Sequence, residues 1–148
     1  VYTWWQRTFL HPSLLAFDAP SREECCVERT RSTVPQQALV LLNDPSFVEA
    51  ARSFAARVLR DGGETVESRI SWAYRCSLQR SPSESEIQIL IPLLGHHEKR
   101  YAADPAAASE LLAVGIAPIP KDLDPVTLAA WTHLARVLMC LHETITRN

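Results

Sequence analysis

His96-His97-Glu98 is the most metal-like cluster in the chain. Successive residues of a helix point about 100° apart, so adjacent histidines cannot close on one ion. The H-E-x-x-H spacing that would place two ligands on one face is missing. The trio therefore reads as a solvated helix face. His133 and Cys140 lie seven residues apart, on one face but two turns apart, beyond direct contact. His142 falls at the edge of an apolar stripe and reads as a core histidine with a partner. A Cys–His nucleophile pair, for example Cys76 with a distant histidine, would require a tertiary contact.

Cys25, Cys26, Cys76 and Cys140 include no C-x-x-C pair and no haem-attachment pattern, so they read as buried or free thiols. No G-x-S-x-G, P-loop or G-x-G-x-x-G occurs, and four glycines offer no phosphate cradle. Glu23 and Glu24 are neighbours in an expected loop, which is not glycosidase geometry. Arg22, Arg29 and Arg31 are dense in a stretch that also holds Glu23, Glu24 and Glu28. That stretch reads as a salt-bridged loop or, in the functional alternative, as an Arg-lined anion site.

Helices must position whatever these residues do. Thr33-Val34-Pro35 opens a segment in which Ala38 to Leu42 are apolar almost all round, predicting a buried helix. Asp44-Pro45 is a start signal, with aspartate as the cap and proline at the first helical position. Phe47, Val48, Ala51, Phe54, Ala55, Val58 and Leu59 then follow helical spacing to Gly62-Gly63. Thr65 starts a helix with Val66, Ile70, Ala73, Tyr74, Ser77 and Leu78 on one face. Ser83 and Glu86 form a capping box for the next, in which Pro92 predicts a kink. Asp104-Pro105 and Asp124-Pro125 repeat the start signal, and Gly115 to Lys121 must be a loop. The last helix carries Leu128, Trp131, Leu134, Ala135, Leu138 and Leu141 inward, with Ile145 one turn on.

Residues 1–33 differ: Trp4, Trp5, Phe9, Leu14, Leu15 and Phe17 gather there, punctuated by Pro12 and Pro20. Val1 to Thr8 reads as a short strand or a helix end, and the chain beyond His11-Pro12 as irregular or extended. So much apolar surface needs something to pack against. The chain starts at Val1 in this aromatic stretch, which reads as a cut inside a longer protein, with part of that packing surface upstream.

The 148 residues fit one domain. With 47% apolar and 22% charged residues the composition is ordinary for a globular domain. Fifteen Lys and Arg against 17 Asp and Glu leave a net charge of −2 and no electrostatic case for nucleic acid. No apolar run is long enough to span a membrane.

Phe17-Asp18-Ala19-Pro20-Ser21-Arg22-Glu23 and the run from Arg31 through Pro35-Gln36-Gln37 to Leu41-Leu42-Asn43-Asp44-Pro45 resemble a known family. It is planctomycete-specific domain one, a C-terminal domain of unknown function. Tyr2-Thr3-Trp4-Trp5, Phe47-Val48-Glu49-Ala50-Ala51-Arg52 and Glu143-Thr144-Ile145-Thr146-Arg147 also fit. The family carries arginine where this chain has Glu28. The resemblance implies a large exported parent, periplasmic or on the cell surface, with a cytochrome-c-like neighbour. Any haem would belong to that neighbour, and no cofactor or metal is expected in this chain.

The expected fold is all-α. One domain spans 1–148, with a non-helical arm over 1–33 and an irregular bundle of five or six helices over 34–148. The expected function is a non-catalytic structural or interaction module docking on upstream domains of the same polypeptide. In the alternative, the chain supplies part of a polysaccharide-related or redox site completed upstream, with glycan as a partner. Asp18, Arg22, Glu23, Arg29, Arg31 and Asn43 are its candidate binding residues, because they lie in or beside the family phrases and on expected loops.

Overall fold

The computed structural model describes residues 9–20, 27–28, 32 and 34–145. Eight helices and no strand occur among them: α1 Pro12–Ala16, α2 Pro35–Asn43, α3 Pro45–Asp61, α4 Val66–Leu78, α5 Glu84–Ala103, α6 Pro105–Leu112, α7 Pro125–Cys140 and α8 His142–Ile145. The all-α expectation holds. The arm is not wholly non-helical, however. Pro12 sits where its missing N–H is no loss, and His11 Nδ1 accepts from the Ser13 amide at 3.3 Å, so α1 forms. Val1 to Thr8, including Trp4 and Trp5, lie outside the described residues.

Local chemistry sets the helix starts. Asp44, Asp104 and Asp124 each cap the proline-led helix that follows, accepting from Ser46, Ala107 and Thr127 amides. Asp44 also accepts from Ser13 Oγ at 2.7 Å, which ties α1 to the α2–α3 corner and lowers the Asp44 pKa. The Ser83–Glu86 capping box is present. Glu86 further receives Arg80, whose guanidinium also reaches Glu143 at 2.8 Å, so one arginine joins α5 to α8. α5 continues through Pro92 to Ala103, where the Pro92 ring lies on the exposed face.

α7 is the hub. It touches α2, α3, α4, α5, α6 and α8. Leu128, Trp131, Leu134 and Leu138 are buried along it, against Ile70 and Tyr74 of α4, Leu90 and Leu94 of α5, Val58 of α3 and Leu112 of α6. Two expectations need correction. α2 is not a buried helix: only Gln37 and Leu41 are buried, and Leu39 is 56% exposed, because the helix lies on the outside with solvent along one side. The last helix does not run on to Ile145. Leu141 turns to extended backbone (φ −62°, ψ 140°), Thr144 Oγ1 satisfies the Leu138 carbonyl at 2.6 Å, and α8 restarts the chain in a new direction.

α3 also grips the loop after α6. Arg52 is 2% exposed and donates to the carbonyls of Leu112 and Ala117, the first of them at the C-terminus of α6. One turn earlier, Glu49 accepts from the Ile116 and Ala117 amides. Gly115, at φ +100°, lies against Glu49 where a Cβ would collide with the carboxylate.

Candidate functional site

Asp18 and Asn43 are the two sequence-derived binding residues that the structure describes. Arg22, Glu23, Arg29 and Arg31 lie outside the described residues, as do Cys25 and Cys26. Asp18 adopts φ 55°, and its carboxylate accepts from the Ser32 amide at 2.6 Å and from Ser32 Oγ at 2.8 Å. Asn43 Nδ2 donates to the Leu39 carbonyl at 3.0 Å, closing the end of its own helix. Asp18 ties its turn to Ser32, fourteen residues further along, and Asn43 closes the end of its own helix; no shared hydrogen bond brings the two together.

The histidines assemble differently from the expectation. His96 is exposed, but His97 is half-buried and packs against α7. Its ring lies parallel to His133, with centroids 4.3 Å apart and planes 2° apart. Tyr101, one turn beyond His97, hydrogen-bonds His133 Nε2 at 2.6 Å. The solvated-face reading fails for His97 because Leu94, His97 and Tyr101 share the edge of α5 that faces α7.

Burial holds the Tyr101 pKa above its ordinary value, so the phenol keeps its proton to donate. Burial first, then His97, Arg136 and Arg100, push His133 down to about 4. Burial, then His96, Arg100 and Arg136, also lower His97, whose Nδ1 is buried without a hydrogen-bond partner. The charged neighbours that act on the pair are thus all bases. Parallel rings direct their in-plane lone pairs side by side and not toward one point. Among the described residues no group of three or more His, Cys, Asp or Glu is placed to hold a metal ion. The stack is a neutral seam between α5 and α7.

A stability prediction follows. Because both folded-state pKa values are depressed, the unfolded chain binds more protons below pH 6.5. Stability contributed by the neutral seam is therefore full above that value and is lost as pH falls toward 4. Between pH 7 and 5 the loss should be about 1–2 kcal/mol, after allowance for partial exposure. His133→Phe should flatten this slope in urea titrations at the two pH values. An unchanged slope would remove the seam as its origin.

The other constellation is an open groove of about 730 Å³ where α4 meets α3 and the α7–α8 turn. Phe54 and Trp72 stack in it with centroids 6.2 Å apart, and Met139 lies beside them. Arg57 sits over the Trp72 ring, 5.6 Å from its centroid. Cys76 is an exposed free thiol on the same wall. Cys140, half-buried and free, has its pKa raised by burial. Arg75 completes the rim. Phe54, Trp72 and Met139 are only half-buried, so the core is left uncovered there. The groove escaped the sequence reading because its walls come from residues 54–57, 72–79 and 139–144. One signal was present: Trp72 lies off the inward stripe of α4, so a large ring had to find other cover.

Among the described residues no helix is long and apolar enough to cross a membrane. A family model described as PSD1, protein of unknown function (DUF1553), matches residues 1–94, well over half of the chain. The matched stretch runs from the arm into α5, so it includes two walls of the groove and stops short of α7 and of the closing phrase at 143–147. No curated protein and no solved structure matches the chain.

Proposed function

The chain belongs to the PSD1 family of proteins of unknown function (DUF1553), and from that membership we propose that it is a non-catalytic interaction module. Its place in this reading is the C-terminus of a large exported planctomycete protein, in the periplasm or at the cell surface. It docks there on upstream domains of the same polypeptide, among them cytochrome-c-like ones that hold the haem. The chain itself needs no cofactor. The resemblance of the Asp18 and Asn43 phrases supplies the setting.

The observation that carries the docking role is the open groove. Half-buried Phe54, Trp72 and Met139 are side-chain types enriched at interface cores, and tryptophan is among those that carry most binding energy when a partner desolvates them. The internal engagement of Asp18 with Ser32 supports a structural role for that phrase over ligand binding.

The test uses the parent polypeptide with a specific protease site placed ahead of this domain. After cleavage the domain should stay with the remainder on gel filtration, with a Kd of about 10 μM or tighter. Free elution of the cleaved domain would count against docking. Saturable binding of a polysaccharide by the domain alone would favour a ligand site instead.

A further inference from the structure

The groove has a charge pattern as well as an apolar floor. Arg57 and Arg75 stand on its rim, and among the described residues no aspartate or glutamate lines it. Among the described residues the ion-paired arginines are Arg60, with Asp122, and Arg80, with Glu86 and Glu143. Arg57 and Arg75 have no carboxylate partner there. Arg57 rests on Trp72, and Arg75 Nε reaches only the Ser71 carbonyl of its own helix, at 3.4 Å. The chain as a whole carries a net charge of −2, so this patch runs against the balance of the molecule.

Resting on the docking reading above, we propose that the groove formed by Phe54, Arg57, Trp72, Arg75 and Met139 binds an acidic polypeptide segment that carries an apolar or aromatic anchor. The anchor meets the half-buried Trp72, Phe54 and Met139. Flanking carboxylates take the two guanidinium groups, whose planar forks suit bidentate pairing. Arg57 stays on the indole while its outer N–H groups pair, so the stacking that holds it in place also pre-orients it. The groove's volume of about 730 Å³ has room for the bulky anchor side chains of such a segment, presented by an upstream domain or its linker. Two arginines on an otherwise acidic chain are too few for a nucleic-acid footprint.

The inference is tested on the full chain with random copolymers, following intrinsic tryptophan fluorescence. A glutamate–tyrosine copolymer should bind at least about ten-fold more tightly than polyglutamate, which lacks the anchor. It should also exceed a lysine–tyrosine copolymer, which has the wrong charge. The double substitution Arg57→Gln with Arg75→Gln should weaken glutamate–tyrosine binding about ten-fold or more. Both side chains are exposed, so the melting temperature should not change. Equal binding by the double variant, or by the lysine copolymer, would overturn the inference. So would binding of anionic phosphatidylserine vesicles through the same arginines without binding of the copolymer.

The double variant in the cleaved parent protein separates this inference from the docking reading. Co-elution that survives it leaves docking intact and removes the groove from it. Loss of copolymer binding alongside free elution of the wild-type domain keeps the groove and removes docking within the polypeptide.

Discussion

Replacing Arg52 with alanine is expected to destabilise the domain by about 3 kcal/mol, from loss of two charged hydrogen bonds and of a buried aliphatic stem. The side chain is 2% exposed, and its guanidinium spans the carbonyls of Leu112 and Ala117. The Leu112 carbonyl lies at the negative end of α6, where a cation is favoured. Removing the donor strands that carbonyl in the interior, while the partly buried Ala117 carbonyl can turn to water. Arg52→Lys should recover less than half of the loss, because one ammonium cannot span two carbonyls held in a fork. The readout is the urea midpoint at unchanged m-value. A loss below about 1 kcal/mol would mean that the loop after α6 is held by Glu49 alone.

Trp131→Ala should cost about 3–5 kcal/mol. The indole is 2% exposed and stands in the middle of α7, the helix on which six of the others pack. Its removal leaves a void that Leu128, Leu134 and Leu138 cannot fill, since each is held by its own neighbours on the same stripe. Against a typical total of about 5–15 kcal/mol, this takes the domain close to unfolding. Near-ultraviolet circular dichroism should lose its fine structure, and the urea transition should move to low denaturant. Trp131→Phe, which keeps a ring in place, should be much milder. Equal effects of the two substitutions would show that the indole's volume is not what holds α7.

Local signals were read well from the sequence because the chemistry that makes them is local. A cap acts over three residues, so the aspartate–proline starts at 44, 104 and 124 and the Ser83–Glu86 box were all legible. The position of an element among the others was less so. α2 is apolar on nearly every side, yet that pattern does not say which neighbours exist to cover it, and Leu39 stays in water. Arg52 was recoverable by arithmetic: it follows Val48 by four and precedes Ala55 by three, so it had to face inward. His97 carried a similar mark, three residues after Leu94 and four before Tyr101. The groove could not be read, because its walls are brought together only when α3, α4 and the α7–α8 turn have packed. Of the proposed binding residues, Asn43 caps its own helix end, a role short polar side chains fill wherever local backbone needs closing, while Asp18 is engaged by Ser32, fourteen residues away, a partner that local sequence does not reveal.

The order in which the chain leaves the ribosome gives the central position of α7 a further meaning. Helices α1 to α6 emerge before the element that unites them. During that interval Ile70, Tyr74, Leu90 and Leu94 have no Leu128 or Trp131 to meet, so the nascent chain presents adhesive surface that the finished domain hides. Holdase chaperones are the natural guardians of such a chain, and a premature stop codon before Pro125 would yield a fragment marked for proteolysis rather than a smaller working domain.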